Sequence, residues 1–101
     1  MKHIVLACAG GMSTSLLMNK MKAAAQSMGV DVDIQAMSVN AFAKYTGEVD
    51  LLLLGPQISY RLKQMQDACA PRGIAVAVVD RIAYGTMNGE MALKSALDAM
   101  A

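Results

Sequence analysis

Cysteine and histidine are scarce in this sequence. Its 101 residues include two cysteines, Cys8 and Cys69, and one histidine, His3. Two cysteines are too few for a disulfide scaffold, so we expect free thiols in a reducing compartment. Two cysteines and one histidine at these scattered positions also lack the spacing of a metal site, and we expect no metal. His3 and Cys8 are separated by about 16 Å along one predicted strand, which argues against a Cys–His catalytic pair.

Long apolar stretches and an excess of charge are absent as well. No apolar run approaches the roughly 20 residues that a membrane span needs, and Cys8 with the glycines behind it interrupts the apolar start too early for a signal peptide. The formal net charge is +1, so the sequence predicts neither nucleic-acid binding nor an acidic tail. Because 55% of the residues are hydrophobic and 17% are charged, we predict one domain over residues 1–101 with a packed core.

What is present is an alternation of strand-like and helix-like segments. The apolar residues Leu17, Met21, Ala24 and Met28 share one helical face, for example, and Gly29 follows them as a natural stop. The alternation predicts a small doubly wound α/β domain, in which helices flank a four-stranded parallel sheet of order 2-1-3-4. The predicted strands are residues 3–7, 30–36, 49–54 and 74–79, and the predicted helices are residues 14–28, 39–45, 57–70 and 87–100.

The first predicted strand delivers Cys8 to a loop rich in glycine and hydroxyl residues. Ligands of doubly wound sheets bind beyond the carboxyl ends of the strands where the strand order reverses, here between strands 1 and 3. Gly10 and Gly11 permit a tight turn, and Ser13 or Thr14 is the predicted N-cap of the first helix. The amides of the turn and the helix dipole then form a cradle for an anion. Such a cradle favours the thiolate form of Cys8 and suits a phosphoryl group on its sulfur, so the sequence predicts a phosphocysteine intermediate.

Three classes of function are compatible with a cysteine in this position. Cysteine-dependent phosphatases and arsenate-reductase-like hydrolases resemble C-x5-R, but the sixth residue after Cys8 is Thr14 and not arginine. Without this bidentate cation the site is poorly suited to hydrolysis and better suited to holding a phosphoryl group for transfer. Asp80 closes strand 4 and could reach the crevice as an acid, although capping a short turn is its simpler role. A phosphatase-like hydrolase and a non-catalytic anion-binding domain therefore remain as alternatives to a transferase.

Three motifs resemble one protein family in register along essentially the whole chain. They are CAGGMSTSLL at residues 8–17, LLLGPQISY at residues 52–60 and VVDRIAYG at residues 78–85. Together they resemble the lactose/cellobiose-type B component, enzyme IIB, of the bacterial phosphoenolpyruvate-dependent sugar phosphotransferase systems. The usual first motif of that family is close to C-S-A-G-M-S-T-S. Ala9 and Gly10 depart from it, so a side-chain hydroxyl at position 9 is lost and the cradle must rely on amides.

The resemblance implies a mechanism, partners and site residues. Cys8 would take a phosphoryl group from a phosphohistidine of enzyme IIA and pass it to a sugar presented by the membrane component, enzyme IIC. The sugar would be a β-linked disaccharide such as cellobiose, diacetylchitobiose or lactose. No metal or cofactor is implied, and the protein would be cytoplasmic, with transient contacts at the inner face of the membrane. The residues implied to hold the phosphoryl group are Ala9, Gly10, Gly11, Met12, Ser13, Thr14 and Ser15.

The second side of the predicted crevice supplies candidate contacts to these partners. Gln57, Ile58 and Tyr60 follow strand 3, and the alternative for them is a helix start with the isoleucine and tyrosine buried. Cys69 ends a predicted helix just before Pro71, at the opposite end of the sheet from the crevice. We therefore predict that Cys69 is structural.

Overall fold

Four parallel strands form the centre of the fold. The computed structural model describes residues 1–8 and 12–100, with side chains from residue 14 onward in the second range. In these ranges the sheet has the strand order β2-β1-β3-β4, and each neighbouring pair is parallel. The predicted order and direction are thus confirmed, although the second strand begins and ends two residues later than predicted. The strands are β1 (Lys2–Cys8), β2 (Val32–Ser38), β3 (Leu51–Leu54) and β4 (Ala75–Val78).

The carboxyl ends of the strands meet at one edge of the sheet, which we call the Cys8 edge. Cys8 pairs with Ser38 of β2, and Ala7 pairs with Leu54 of β3. The amide of Gly55 then donates a hydrogen bond of 2.9 Å to the carbonyl of Ala7. The carboxyl ends of β1, β2 and β3 therefore lie side by side.

Helices connect the strands and cover both faces of the sheet. They are α1 (Met12–Met28), α2 (Val39–Ala43), α3 (Leu62–Cys69), α4 (Arg81–Gly85) and α5 (Gly89–Met100). Gly29 ends α1 as predicted, because its φ of 70° is left-handed and its amide donates to the carbonyl of Gln26. The amide of Val30 donates to the carbonyl of Ala25 at 2.9 Å, which completes a Schellman motif. Within the described residues, no helix combines the length and the apolar composition needed to cross a bilayer.

The helix predicted for residues 57–70 is wrong as one continuous element. A 3₁₀ helix covers Pro56–Arg61, α3 follows, and a second 3₁₀ turn covers Ala70–Arg72. Ile58 leaves helical geometry, with φ −119° and ψ 25°, and its side chain is buried in the core. Burial of this isoleucine sets a backbone path that continuous α-helical geometry does not follow. The helix at residues 39–45 is also shorter than predicted, the last helix begins at Gly89 rather than Met87, and α4 was not predicted as a helix.

The strands alternate their side chains between two apolar layers. Ile4 and Leu6 of β1 face a cluster that includes Leu17 and Met21 of α1 and Leu93 of α5. Val5, Ala7 and the even-numbered leucines of β3 face a second cluster, which includes Phe42, Ile58, Met65 and Cys69. By the same alternation, Cys8 faces the α1 side of the sheet. Removing these apolar surfaces from water is the main force that holds α1 and α5 on one face and α2 and α3 on the other.

Candidate functional site

The thiol of Cys8 contacts the first turn of α1. Cys8 is the last residue of β1, and its Sγ lies 3.2 Å from Oγ1 of Thr14 in a side-chain hydrogen bond. Cys8 is 4% exposed and Thr14 is 1% exposed. A hydroxyl at this distance donates its hydrogen bond to the sulfur when the sulfur is a thiolate. The structure thus places a hydrogen-bond donor beside the predicted nucleophile.

The prediction that Ser13 or Thr14 caps α1 is wrong. The helix begins at Met12, so both residues lie inside its first turn rather than at the N-cap. This position turns Thr14 toward the end of β1, and its hydroxyl reaches the sulfur of Cys8. Thr14 is therefore buried next to the thiol. An N-cap side chain would instead accept hydrogen bonds from the amides of the first helical turn.

Part of the predicted phosphoryl cradle lies outside the described residues. Ala9, Gly10 and Gly11 fall between the two described ranges, and the side chains of Met12 and Ser13 are also outside the description. Ser15 is described and is exposed in the first turn of α1. The roles of these residues stay predictions. The described part of the site is the sulfur, the hydroxyl of Thr14 and the start of α1, whose N-terminal amides carry partial positive charge.

Gly55 and Gln57 form the other side of the site. A Cβ added at Gly55 would lie 3.5 Å from Cβ of Cys8 and 2.8 Å from Oε1 of Gln57. A Cβ there would be in ordinary contact with Cys8 and would have to displace the side chain of Gln57, so the segment after β3 lies directly beside Cys8. The strand 3 side of the predicted crevice thus lies beside Cys8, whereas residues 9–11, predicted for the other side, lie outside the described residues.

The three predicted partner contacts differ in exposure. Tyr60 is 81% exposed and Gln57 is exposed, whereas Ile58 is 2% exposed and belongs to the second core cluster. The prediction for Ile58 is thus corrected, because a side chain buried in the core is not available to a partner. Tyr60 and Gln57 keep the exposure that a contact requires.

Sequence reasoning missed two exposed apolar residues at the Cys8 edge. Leu16, in the second turn of α1, is 57% exposed, and Ile82, near the start of α4, is 67% exposed. Both elements begin beyond the carboxyl ends of strands, as does the segment that carries Tyr60. A signal was present for Leu16, since it lies outside the apolar stripe of Leu17, Met21, Ala24 and Met28. Exposed apolar residues gathered at one edge are typical of an interaction surface.

Asp80 caps α4. Its Oδ1 accepts hydrogen bonds from the amides of Ile82 at 2.8 Å and Ala83 at 3.0 Å. The capping role that the sequence suggested is confirmed, because Oδ1 accepts from two amides at the helix start. This geometry gives no support to Asp80 as an acid for a leaving group.

His3 lies at the opposite edge of the sheet from the site. Its Nδ1 is 3.3 Å from Asp33 Oδ2 and its Nε2 is 3.1 Å from Glu48 Oε2. Its amide also donates to Asp50 Oδ2 at 2.7 Å. The histidine thus joins β1 to β2 and to the loop before β3. In the described part of the chain, no three His, Cys, Asp or Glu side chains form a group that could hold a metal ion.

Cys69 is a buried core residue, and neither it nor Cys8 forms a disulfide. Burial raises the pKa of the Cys69 thiol, and the charge of Arg72 offsets part of that effect. The structural role predicted for Cys69 therefore agrees with its place at the end of α3, among apolar side chains.

The raised pKa of Cys69 predicts a stability change in alkali. Above the ordinary thiol pKa of about 8.5, the unfolded chain loses this proton while the folded chain keeps it, so the free energy of unfolding falls as pH rises. We expect Cys69→Ala to remove this part of the slope between about pH 8 and pH 10. Urea unfolding of the wild type and of Cys69→Ala across this pH range measures the difference in slope. Tyrosines and lysines titrate in both proteins, so their contribution drops out of the difference. Parallel stability curves would contradict the assignment.

Comparisons of this chain with a family model and with known proteins all match IIB components of the phosphotransferase system. The family model described as PTS system, Lactose/Cellobiose specific IIB subunit matches residues 3–95. The oligo-beta-mannoside-specific EIIB component of Bacillus subtilis (strain 168) is 41% identical over 99% of this chain and 97% of its own length. The cellobiose-specific EIIB component of Lactococcus lactis subsp. lactis (strain IL1403) is 38% identical over 98% of this chain and 96% of its own.

Two further comparisons concern a fused protein and the fold. The lactose-specific EIICB component of Streptococcus mutans is 28% identical over 81% of this chain, a match that covers 14% of that longer protein. The solved lactose-specific IIB component domain of Streptococcus pneumoniae superposes with a TM-score of 0.88 over 99% of this chain and 98% of its own, at 22% identity. The second likeness shows a shared fold.

Proposed function

The chain belongs to the lactose/cellobiose-specific IIB subunits of the phosphotransferase system, and we propose that Cys8 is the residue that carries its phosphoryl group. Members of this family are components of sugar phosphotransferases, so the chain is a phosphoryl carrier in sugar uptake rather than a hydrolase or a passive anion-binding domain. We further propose that residues 1–101 form one enzyme IIB domain.

One observation carries the assignment to Cys8, namely the hydrogen bond between its Sγ and Oγ1 of Thr14. The other cysteine, Cys69, lies in the core cluster on the opposite face of the sheet and has a raised pKa, which disfavours the thiolate. Cys8 instead ends β1 at the edge where the strand order reverses and where α1 begins. Both thiols are buried, but Cys8 has a hydroxyl beside its sulfur whereas Cys69 lies among apolar side chains.

The proposed reaction has two in-line displacements at phosphorus. In the first, the Cys8 thiolate attacks the phosphohistidine of the donor, so a P–S bond forms while the P–N bond breaks and the imidazole leaves. In the second, a sugar hydroxyl oxygen attacks the same phosphorus, a P–O bond forms, the P–S bond breaks and the thiolate returns. We propose that the hydroxyl proton passes to a base on the acceptor side.

The environment of the sulfur contributes to both steps. We propose that the amides from Ala9 to Ser15 hold the phosphoryl oxygens, with the dipole of α1 adding favourable charge. The Thr14 hydroxyl, within hydrogen-bond distance of the sulfur, stabilises the thiolate before the first step and as the leaving group of the second. Positioning and electrostatics thus supply the catalysis, and no step calls for a metal.

Removing the Thr14 hydroxyl is expected to slow phosphoryl transfer. A hydrogen bond to a charged group is worth about 1.5–3 kcal/mol, so Thr14→Val should lower the rate of Cys8 phosphorylation roughly 10- to 100-fold. Thr14→Ser keeps the hydroxyl and should stay within about threefold of the wild type. Alkylation of Cys8 by iodoacetamide at a fixed neutral pH provides a second readout, and the valine variant should react more slowly there too. Equal transfer rates for the valine and serine variants would remove Thr14 from the mechanism.

Partners would dock on the Cys8 edge. Family members act with a membrane IIC component, as the fused EIICB relative illustrates, and we propose that enzyme IIA is the phosphohistidine donor. Both must reach the same sulfur at different times, which requires modest and transient interfaces. Leu16, Gln57, Tyr60 and Ile82 supply exposed surface at this edge. We propose them as the contacts that surround the reacting cysteine.

Membership of the family also supports a proposal for the acceptor sugar and for the cellular location of the protein. The compared relatives are specific for oligo-beta-mannoside and for cellobiose, so we propose a β-linked sugar, such as cellobiose, lactose or diacetylchitobiose, as the acceptor. We place the protein in the cytoplasm, with transient contacts at the inner face of the membrane where enzyme IIC presents the sugar.

Label transfer from phosphoenolpyruvate tests the proposed function. The chain is incubated with labelled phosphoenolpyruvate, the general phosphotransferase components and a matching enzyme IIA, and the labelled peptide is located by mass spectrometry. We expect one phosphoryl group on the peptide that contains Cys8, and its loss when enzyme IIC and a β-linked disaccharide are added. Label on a histidine, or turnover of an aryl phosphate without partners, would contradict the carrier role.

A further inference from the structure

The two faces of the sheet are covered by different kinds of element. On one face α1 has 17 residues and α5 has 12, and the two helices pack together. On the other face α2 has 5 residues and α3 has 8, and 3₁₀ segments of 6 and 3 residues adjoin the two ends of α3. The short α2 leaves a groove of about 400 Å³ between α2 and α3, which we call the α2–α3 groove. Its apolar lining includes Phe42, Met65, Ala68 and Cys69.

The α2–α3 groove is positively charged and has no acidic residue in its lining. Arg61 and Arg72 line it at the two ends of α3, and neither aspartate nor glutamate lines it. Met65 and Ala68 lie between them on the same helical face, whereas Asp67 is not part of the lining. The backbones of Arg61 and Arg72 are eleven residues apart, which corresponds to about 16–18 Å along α3 and the 3₁₀ turn after it.

Contacts within the chain hold both arginines without neutralising them. The guanidinium of Arg72 lies 5.3 Å from the ring centroid of Phe42 and donates to the carbonyl of Tyr45 at 3.0 Å. Nε of Arg61 donates to the side-chain oxygen of Gln64 at 3.4 Å. Over residues 1–8 and 12–100, neither arginine forms a salt bridge. The groove therefore offers two oriented cations with an apolar floor between them.

We propose that the α2–α3 groove docks an acidic segment of a partner protein, one that carries aliphatic side chains between two carboxylates. The aliphatic side chains would fill the groove beside Phe42 and Met65, and the carboxylates would pair with Arg61 and Arg72. An extended segment of about six or seven residues spans this distance between its ends. The volume of the groove suits a few side chains rather than a whole helix. This docking does not depend on the chemistry of Cys8, which faces the other side of the sheet.

A synthetic peptide tests this docking with the full chain. The probe is acetyl-Glu-Ser-Leu-Ser-Leu-Ser-Glu-amide, and the control probe has glutamine in place of both glutamates. NMR titration follows the side-chain signals of Met65 and Ala68 and the Nε–H signal of Arg61. We expect saturable shifts confined to the groove, with the control probe binding at least about threefold more weakly because it lacks both charges.

A matched pair of variants locates the interaction. Arg61→Gln removes a lining charge, whereas Lys63→Gln removes the same charge from an exposed position of α3 outside the groove. We expect Arg61→Gln to weaken binding about two- to fivefold and Lys63→Gln to leave it unchanged at 0.15 M salt. The proposal is overturned if both variants weaken binding equally, if the two probes bind alike, or if shifts appear away from the groove. It is also overturned if the chain forms a dimer that Arg61→Gln disrupts, since a second copy would then be the occupant.

Discussion

Cys8→Ser is expected to abolish acceptance of the phosphoryl group. A serine hydroxyl is far less ionised and less nucleophilic than a cysteine thiol near neutral pH, and no base in the described residues lies beside it to activate it. His3 lies at the other edge of the sheet with Asp33 and Glu48, and Asp80 is a helix cap. The loss should be on the order of 10³-fold or more, which places the variant below detection in a labelling experiment.

The structure predicts that this variant stays folded. Serine differs from cysteine in one atom, and its oxygen can still pair with Oγ1 of Thr14 in the position that the sulfur holds. The free energy of unfolding should therefore change by about 1 kcal/mol or less. Loss of labelling together with an unchanged urea midpoint separates a chemical role from a structural one.

Cys69→Ala is the matched control for Cys8→Ser. It removes the other buried thiol, on the opposite face of the sheet, and should accept label at the wild-type rate while it is folded. Cys69→Ala should lower only the free energy of unfolding, because a small cavity replaces the buried thiol. Label retained on the serine variant, or lost from the alanine variant at full folding, would contradict the assignment of Cys8.

Gly89→Ala is expected to destabilise the fold by about 3 kcal/mol or more. Gly89 begins α5 and is buried against the backbone of α1. A Cβ at this position would overlap the carbonyl group of Lys20 and lie 2.7 Å from the amide nitrogen of Met21. Because the atoms in the way are backbone atoms in the middle of a helix, no side-chain rotation relieves the overlap. The two helices would have to separate, which exposes the apolar layer beneath them.

Gly85→Ala provides the matched control for this prediction. Gly85 ends α4, its φ is not in the left-handed region, and a Cβ added there meets no atom within 4 Å. Alanine at this position should change the free energy of unfolding by less than about 1 kcal/mol, and in the stabilising direction, because glycine loses more backbone freedom on folding. Urea unfolding followed by circular dichroism compares the two variants. Equal midpoints for Gly89→Ala and the wild type would show that α5 is not in close contact with α1.

The arrangement of strands was predictable because it rests on repeated, local signals. Apolar runs alternate with helical stripes, and a parallel sheet with short right-handed crossovers leaves few possible strand orders. Gly29 ends α1 by its own conformational freedom, so this boundary was readable too. The sequence also placed Cys8 at the edge where the strand order reverses, which is the part of the site that depends on topology alone.

Tertiary packing decided the features that the sequence did not reveal. An apolar residue at position 58 is compatible with a regular helix and with an irregular segment anchored in the core. The structure has the second arrangement, in which Ile58 is buried and interrupts the helix predicted from Gln57 onward. Thr14 has the residue type of a helix cap, but α1 begins two residues earlier, and this moves its hydroxyl to the sulfur. The close contact at Gly89 joins residues about seventy positions apart, and no local pattern encodes it.

The place of β1 in the sheet has a consequence for biosynthesis. β1 is central, yet it precedes both of its neighbours along the chain, and parallel pairing rules out an early hairpin. It gains its first neighbouring strand only when the ribosome has released Ser38 and its second only after Leu54. At roughly 5–20 residues per second, the nascent strand waits for seconds in an aggregation-prone state. The order of the strands thus makes the central pairings of the sheet late and non-local, which slows folding.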